Sequence, residues 1–174
     1  MRIVRHGPGE ECEDLPALRR LLDAAFAGEF SHEDWEHTFG GTRFVAEVDG
    51  VPVAHGAVVP RRVWLDGSLL TIGYVEGVAT SSRHRGRGYG GALMRAITAF
   101  CSERYPVSML STGEWGFYRR FGWVSLPVAS YVRRETGLER SEEEDECLMF
   151  LLPEAGTLPV PATVACEARS GDSW

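Results

Sequence analysis

The stretch VEGVATSSRHRGRGYGGALM, residues 75–94, has the clearest potential for chemistry in this sequence. A β-rich run ends near Thr80, a loop of arginine and glycine follows, and a helical pattern then begins. Glycine lets backbone N–H groups approach a ligand closely, and a helix N-terminus adds partial positive charge. The pattern therefore predicts a cradle for a phosphate or pyrophosphate, while a tight strand-to-helix turn without a ligand is the alternative.

Two other glycine-rich phosphate loops are excluded. The chain has no lysine, so the loop lacks the Lys-Ser/Thr ending of a P-loop. The loop also follows the last strand of an antiparallel meander, whereas the dinucleotide fingerprint follows the first strand of a parallel sheet. A different kind of anion-binding loop is therefore needed to explain this stretch.

Cap and turn residues predict the elements that precede the loop. Apolar residues recur at helical spacing over residues 15–26, with Asp14 as the cap, and SHED at 31–34 reads as a capping box. Asp-Gly pairs at 49–50 and 66–67 each separate two β-rich runs, which is a strong hairpin signal. We therefore expect two helices followed by an antiparallel meander of three or four strands.

The second half of the chain predicts further alternation of helices and strands. A long helix is expected over residues 88–105, then a short strand VSMLS, then a short helix over 114–121 that Gly122 ends. Two last strands, WVSLPVASYVRR and CLMFLLP, are separated by a charged loop. This order predicts one α/β domain over residues 1–174, built around a single mixed sheet.

Composition excludes several classes of function. The net charge of −7 over 174 residues disfavours a nucleic acid or an anionic membrane as partner and is compatible with a cationic substrate. No apolar run could cross a bilayer and the first residues hold no secretory signal, so the expected location is cytoplasmic. Four widely spaced cysteines, with no histidine at zinc-ligand spacing, predict no metal site.

The pattern Arg83-x-x-Gly86-x-Gly88 after a meander resembles the acyl-CoA pyrophosphate loop of the GNAT superfamily of N-acetyltransferases. The resemblance implies the GNAT acyltransferase fold, an α/β fold whose mixed, mostly antiparallel sheet has flanking helices. In that fold, the fourth and fifth strands splay apart to admit the pantetheine arm of acetyl-CoA. The expected pyrophosphate ligands are Arg85, Gly86, Arg87, Gly88, Tyr89, Gly90 and Gly91, with Val78 and Thr80 offering backbone groups to the pantetheine amide.

Further motifs in order along the chain narrow the resemblance. FAGEF…DWEHTFGG, GYVEGVA, the Y-x-x-x-GW from Tyr118 to Trp123, and the final GDSW together resemble the aminoglycoside 2′-N-acetyltransferases. The match runs over nearly the whole chain, from Phe26 to Trp174. The chain departs from that family at Glu29, where the family has aspartate, and in the helix over 114–120. The family resemblance also implies a homodimer.

Acetyl transfer to an amine requires a deprotonated nitrogen and a proton donor for the departing thiolate. Glu76 is the candidate base, because a carboxylate on an apolar strand is costly unless it is paired or used. The resemblance implies that it acts through a water, and a solvent-facing strand glutamate is the alternative. Tyr118 is the candidate acid by resemblance, since a phenol is neutral near pH 7, whereas spacing alone favours a core tyrosine beside Phe117 and Phe121.

An aminoglycoside or another polycationic amine requires an acidic acceptor site. The resemblance implies a set of residues that bind the substrate: Glu29, Asp34, Ser111, Asp145, Asp172 and the carboxylate of Trp174. Asp34 is also explained by its capping box, and Asp145 by a solvated acidic loop. The tail is expected to fold back to the acceptor site, with the Trp174 indole buried and its carboxylate on an ammonium group; a frayed terminus is the alternative.

The sequence therefore predicts direct acetyl transfer within a ternary complex, because no activated nucleophile is evident for a covalent intermediate. Two alternatives stay open at this point. The same chemistry could serve a polyamine, a cell-wall amino sugar or an atypical aminoglycoside. A non-catalytic module that binds acyl-CoA is the second alternative, which the presence of both Glu76 and Tyr118 disfavours.

Overall fold

The computed structural model describes residues 1–10, 14–153 and 160–174, and the chain forms two compact units. Unit 1 consists of Met1–Val59 and Val75–Phe100, and unit 2 of Pro60–Tyr74 and Cys101–Trp174. Cys12 lies outside the described residues. The single domain predicted over residues 1–174 stays a prediction.

The strands of unit 1 form the predicted antiparallel meander, extended by one strand. They are β1 (Arg2–His6), β2 (Thr42–Val48) and the parts within unit 1 of β3 (Val51–Leu65) and β4 (Ser68–Thr80), in the order β1-β2-β3-β4. Asp49 and Gly50 have φ of 52° and 79°, and Asp66 and Gly67 have φ of 47° and 80°. Positive φ at both turn residues suits the right-handed twist of a hairpin, so both predicted hairpins are confirmed.

The helices of unit 1 begin at the capping residues that the sequence predicts. They are α1 (Leu15–Ala25), α2 (His32–His37) and the first part of α3 (Tyr89–Arg104). The Asp14 carboxylate accepts the Ala17 N–H at 2.9 Å. Ser31 and Asp34 form the reciprocal capping box, with N···O distances of 3.0 and 2.9 Å. These bonds satisfy amide groups that the first turn of a helix leaves without partners.

Unit 2 contains the mixed part of the sheet. Its strands run in the order β6-β9-β5-β4-β3-β10-β7-β8, where the new strands are β5 (Ser108–Ser111), β6 (Val124–Ser125), β7 (Ala129–Arg134), β8 (Gly137–Arg140), β9 (Leu148–Leu151) and β10 (Thr163–Glu167). The β4–β5 and β7–β10 pairs are parallel, and the other strand pairs with a described register are antiparallel. The short helix α4 (Trp115–Tyr118) continues into a 3-10 turn that ends at Gly122, as predicted. The mixed, mostly antiparallel sheet is therefore confirmed.

The parallel pairing of β4 with β5 places Gly73 opposite Ser108 and Tyr74 opposite Met109. Strand β4 continues through Thr80, past the last of these pairs. Gly73 is required at this pairing because a Cβ there would lie 2.6 Å from the Tyr105 ring. The same Cβ would lie 2.9 Å from the Ser108 hydroxyl on β5, so the space beside Gly73 is filled from both sides.

Three strands were not predicted, and one predicted strand is wrong. The missed strands β1, β8 and β10 are only four or five residues long. The run WVSLPVASYVRR is not one strand but two, β6 and β7, because Pro127 lies between them and cannot donate to a ladder. Pro60 is tolerated inside β3, since it lies between the segment paired with β2 and the segment paired with β10.

Each unit has its own buried apolar residues. In unit 1, Leu21, Leu22, Phe30 and Ala79 form one cluster. In unit 2, Val63, Tyr74, Met109, Phe150 and Trp174 belong to a larger cluster. None of the helices in the described ranges combines the length and apolar character that a membrane span requires.

Replacing Gly41 by alanine tests a tight backbone contact of unit 1. A Cβ at Gly41 would lie 2.0 Å from the Val58 carbonyl oxygen, so the backbone of β3 or of the preceding turn must move. We expect Gly41→Ala to lower the free energy of unfolding by about 2–4 kcal/mol. Gly116→Ala is the control, because no atom beyond its own helix backbone and chain neighbours lies within 4 Å of that Cβ. Urea denaturation should show a change below about 1 kcal/mol. Equal losses of unfolding free energy in the two variants would contradict the importance of the close approach between Gly41 and Val58.

Candidate active site

The glycine loop of unit 1 has the backbone that its sequence predicts. Gly86 and Gly88 have φ of 74° and 84°, a region that L-residues other than glycine rarely adopt. A Cβ at either position would meet no atom within 4 Å. The loop therefore needs glycine for its conformation, and the space beside both residues is open to a ligand.

The start of helix α3 supplies the donors of this loop. The Ala92 N–H donates to the Gly88 carbonyl at 2.9 Å and is the first bond of the helical pattern. Helix geometry leaves the preceding amides, including those of Gly90 and Gly91, without an intrahelical acceptor. Amides in that position, together with the helix dipole, bind phosphate groups well. The arrangement can hold a diphosphate.

The arginines near this loop do not all point to one place. Arg85 donates through Nε to the Thr80 carbonyl at 3.4 Å, so its side chain folds back over the end of β4. Arg83 and Arg87 are exposed. The Thr80 carbonyl keeps a second lone pair for the predicted pantetheine contact, because a carbonyl oxygen accepts two bonds. Val78, like Thr80, is half-buried.

Glu76 lies on β4 four residues before Thr80, the last residue of the strand, and is half-buried. Its Oε2 atom is shielded from solvent. The side chain is therefore neither fully buried nor fully exposed to solvent, and its role as a base stays a prediction. Gly77, the next residue, has φ of 59°, which interrupts the regular alternation of a strand at this point.

The two acidic residues predicted in unit 1 differ in their surroundings. Glu29 is exposed and follows a left-handed turn at Ala27 and Gly28, whose φ values are 55° and 86°. Asp34 uses its Oδ2 atom in the capping box, which leaves Oδ1 for other contacts. Arg19 stabilises the segment between them, since it donates to the Phe30 carbonyl at 2.8 Å.

Tyr118 in unit 2 packs as a core tyrosine, and its role as the acid stays a prediction. It is 8% exposed and packs edge-to-face with Phe117, as a core tyrosine would. Burial raises the pKa of Tyr118 to about 12, the nearby Glu114 carboxylate adds to the rise, and a hydrogen bond with Thr112 opposes it. The phenol therefore keeps its proton throughout the working pH range and can donate a hydrogen bond.

Glu144 is a candidate residue that sequence reasoning missed. The Ser111 hydroxyl donates to Glu144 Oε2 at 2.7 Å, and the negative charge of Asp172 acts on the same carboxyl. Burial first, then the charges of Asp172 and Glu143, raise the pKa of Glu144 above its ordinary value, although Ser111 opposes this. Ser111, a predicted residue, therefore contacts Glu144, and the charge of Asp172, another predicted residue, acts on it. A partly buried carboxylate of this kind can accept hydrogen bonds from an ammonium ion.

Local sequence gives no signal that separates Glu144 from its neighbours. Residues 142–146 are all acidic, so every one of them fits a solvated loop. The pairing of β5 with β9, which sets Ser111 opposite Leu148, selects the residue that meets the Ser111 hydroxyl. Only the register of β5 against β9, which the local sequence does not reveal, would have distinguished Glu144 from its neighbours.

Asp145, the predicted substrate ligand in that run, is already engaged by β7 and β8. Its Oδ1 accepts bonds from the Ser130 amide at 2.8 Å and the Ser130 hydroxyl at 2.7 Å. Arg140 forms an ion pair with both carboxylate oxygens, and these bonds lower the pKa of Asp145 well below its usual range. The structure therefore shows a local structural role for Asp145, and its contact with a substrate stays a prediction.

The tail of unit 2 is ordered by named contacts, so the frayed-terminus alternative is wrong. The Trp174 indole is 5% exposed and donates to the Ser141 hydroxyl at 3.0 Å. Arg61 donates to the Ser173 carbonyl at 2.6 Å. The Trp174 amide bonds to Asp172 Oδ1 at 3.0 Å, and Asp172 is exposed. The predicted burial of the indole is confirmed.

Ser141 also begins the turn that carries Glu144. The Glu144 amide donates to the Ser141 carbonyl at 3.0 Å, while the Ser141 hydroxyl accepts the Trp174 indole. Trp174 therefore joins the segment bearing Asp172 to the turn bearing Glu144. Within the described ranges, no group of three or more His, Cys, Asp or Glu side chains could hold a metal ion.

A GNAT acetyltransferase is the class of protein that the meander, the glycine loop and the parallel β4–β5 pair define. The family model described as an acetyltransferase (GNAT) domain matches residues 11–125. The aminoglycoside 2′-N-acetyltransferase of Mycolicibacterium fortuitum is 36% identical over 178 residues, covering 99% of this chain and 91% of that protein. The chain therefore belongs to the aminoglycoside 2′-N-acetyltransferase family of the GNAT superfamily.

Solved structures support the fold. A GNAT family N-acetyltransferase (YhbS) from Escherichia coli, in complex with CoA, matches with a TM-score of 0.71 and 20% identity over 95% of this chain and 90% of that chain. A GNAT family acetyltransferase from Brucella melitensis, in complex with acetyl-CoA, has a TM-score of 0.61 and 21% identity over 92% and 93%. The chain also matches several longer proteins, of which it spans about one third.

Arg61 and Arg62 provide a matched test of the tail contacts. Arg61 reaches the Ser173 and Glu167 carbonyls, whereas Arg62 pairs with the side chain of Glu167 on an exposed surface. We expect Arg61→Met to speed tryptic cleavage after Arg169 by about 5- to 100-fold, because cleavage follows the population of the opened tail. Arg62→Met should change this rate by no more than about threefold. Mass spectrometry of timed digests measures both cleavage rates. Equal rates in the two variants would contradict the role of Arg61 in holding the tail.

Proposed function

We propose that this protein transfers the acetyl group of acetyl-CoA to the 2′-amine of aminoglycosides. The observation that supports the acceptor class is the half-buried Glu144 carboxylate, which bonds to Ser111 and feels the negative charges of Asp172 and Glu143, because negative charge of this kind attracts a polycation. The position of acetylation comes from the Mycolicibacterium fortuitum relative, whose name states it and whose match covers nearly the whole chain.

We assign the diphosphate of acetyl-CoA to residues 85–91. The left-handed Gly86 and Gly88, the open space beside them and the free amides at the start of α3 fit such a group. The backbone of Val78 and Thr80 is proposed for the pantetheine amide. When bound, acetyl-CoA supplies the acetyl group as a thioester whose sulfur leaves with negative charge.

Glu76 is proposed as the base that removes a proton from the acceptor amine, directly or through a water. A half-buried carboxylate suits that role, because it is partly desolvated yet can exchange its proton with solvent. The residue holds the proton on a carboxylate oxygen until solvent takes it. Loss of such a base costs roughly 10²- to 10⁴-fold in rate.

Tyr118 is proposed as the donor to the sulfur. Its pKa of about 12 lies above the value of about 8.5 typical of a thiol, so full proton transfer from the phenol is uphill. The useful property is therefore a strong, preorganised O–H donor that stabilises negative charge as it develops. The phenol keeps its proton, and the departing CoA thiolate takes a proton from solvent.

The acceptor groups proposed here modify the sequence prediction at one position. Glu144 takes the role expected of Asp145, whose carboxylate Arg140 and Ser130 already engage. Glu29 and Asp34, the two acidic residues predicted in unit 1, are still proposed to bind the substrate. The contact of the Trp174 carboxylate with an ammonium group stays a prediction. A cytoplasmic location and a homodimer are also retained as proposals, from the sequence and the family resemblance.

Acceptor choice tests the function directly. Gentamicin and tobramycin carry a 2′-amine, whereas kanamycin A and amikacin carry a hydroxyl group at that position. We expect thiol release from acetyl-CoA with the first pair alone, and one added acetyl group by mass. Turnover with both pairs would contradict the 2′ position but keep the transfer, and turnover with polyamines alone would contradict the acceptor class.

Glu144 and Glu143 provide a matched test of the acceptor site. Glu144→Gln should raise the KM for gentamicin by about 10- to 100-fold, because it removes a charged acceptor of an ammonium group. The KM for acetyl-CoA should change by less than about twofold. Because the pKa of Glu144 is raised, lowering the pH protonates this carboxyl sooner than an ordinary glutamate, so the KM for gentamicin should rise more steeply in the unsubstituted protein than in Glu144→Gln.

Glu143→Gln is the control for that experiment, since Glu143 is exposed on the same turn. Its KM values are expected to stay within about threefold of the unsubstituted protein. Steady-state kinetics over a range of pH gives all of these quantities. Equal effects of the two substitutions would show that only the general acidity of the loop matters.

A further inference from the structure

The apolar run VPVAHGAVV in β3 contains one polar residue, His55, which the proposed chemistry does not use. His55 is fully buried, between Ala54 and Gly56, and its neighbours along the strand are buried too. Burying an imidazole costs free energy unless its nitrogen atoms find partners. An apolar side chain would fill such a position more favourably, so the histidine needs an explanation.

The partner of His55 is the backbone of β4 directly after Glu76. His55 Nδ1 lies 2.8 Å from the Gly77 carbonyl oxygen. A Cβ on Gly77 would lie 3.4 Å from two atoms of the His55 ring and 3.3 Å from Thr38 Cγ2. The β4 backbone therefore passes against the ring at this point, where only a residue without a side chain fits comfortably.

The bond fixes the tautomer of the ring. A carbonyl oxygen only accepts, so Nδ1 must carry the hydrogen. Burial lowers the pKa of His55 to about 4, and the positive charge of Arg43 acts in the same direction. The ring is therefore neutral at neutral pH, with Nδ1 protonated and Nε2 bare.

The Gly77 carbonyl belongs to a residue in an unusual conformation. Its φ of 59° lies in the left-handed region, inside a strand that is otherwise extended. A left-handed residue within a strand bends the chain locally and turns the adjacent side chains to new directions. The direction of the Glu76 carboxylate thus depends on how this one peptide is held.

We propose that His55 is a positioning residue for Glu76. Its Nδ1–H holds the Gly77 carbonyl, which keeps the left-handed backbone in place and so sets the direction of the neighbouring carboxylate. The inference rests on the proposed role of Glu76 as the base. A displacement of about 1 Å at a reacting group can cost on the order of 10²-fold in rate, so the effect on turnover should be measurable.

Two substitutions separate positioning from simple packing. His55→Asn keeps an N–H donor on the atom next to Cγ, whereas His55→Leu has a similar breadth and no donor. We expect His55→Leu to lower kcat by about 10- to 100-fold with the KM for acetyl-CoA within about twofold, and His55→Asn to recover most of the loss.

A double-mutant cycle with Glu76→Gln tests whether the effect passes through the carboxylate. If His55 acts by orienting Glu76, His55→Leu should lower kcat by less than about twofold when the carboxylate is already absent. A loss in the Glu76→Gln background as large as in the unsubstituted protein would overturn the proposal. Full kcat in His55→Leu would overturn it as well.

The tautomer of His55 can be measured in the unsubstituted protein, so this test does not depend on whether a variant folds. Nitrogen-15 spectra of the His55 ring should show a protonated Nδ1 and a bare Nε2 from about pH 5 to 8. An Nε2–H tautomer would overturn the proposal. Absence of acetyl transfer to any amine by the unsubstituted protein would instead contradict the proposed function, and the spectra would still decide whether His55 holds Gly77.

Discussion

The left-handed backbone of β4 at Gly77 is the feature on which the proposed role of Glu76 depends. In a regular extended strand, side chains alternate between the two faces of the sheet, so this alternation alone would fix the direction of the Glu76 side chain. The left-handed φ of 59° at Gly77 allows a different direction, and glycine adopts this φ without strain. The buried imidazole of His55, on the neighbouring strand β3, bonds to the carbonyl of this residue, and by our proposal that bond selects the left-handed conformation.

Unit 2 illustrates how identical functional groups acquire different roles. Asp145 and Glu144 are adjacent acidic residues, yet the first is paired with Arg140 and the second is bonded to a neutral hydroxyl. Opposite charge lowers the pKa of Asp145, whereas burial and the neighbouring negative charges raise the pKa of Glu144. A carboxylate that has its counter-ion gains little from a second cation. A carboxylate crowded by like charge gains much more, and this difference makes Glu144 the better partner for an ammonium group.

Much of the fold was predictable because its signals are local. The capping residues Asp14 and Ser31 and the two Asp-Gly turns act through bonds within a few residues, and they appear where the sequence places them. The missed strands had no such signal. Strand β8, for example, is exposed along its whole length and reads as GLER, so only its pairing with β7 makes it a strand. Short edge strands are defined by their neighbours rather than by their own composition.

The sequence by itself determined the glycine loop, the candidate base and acid, and the family to which the chain belongs. These depend on residue type and on spacing within short segments, for example glycine where φ is positive at residues 86 and 88. Only the tertiary structure decided that Glu144 meets Ser111, that Arg61 holds the tail at Ser173, and that His55 meets Gly77. These partners are separated by 33, 112 and 22 residues respectively. Strand register and long-range packing bring such partners together, and no pattern within a single segment encodes either of them.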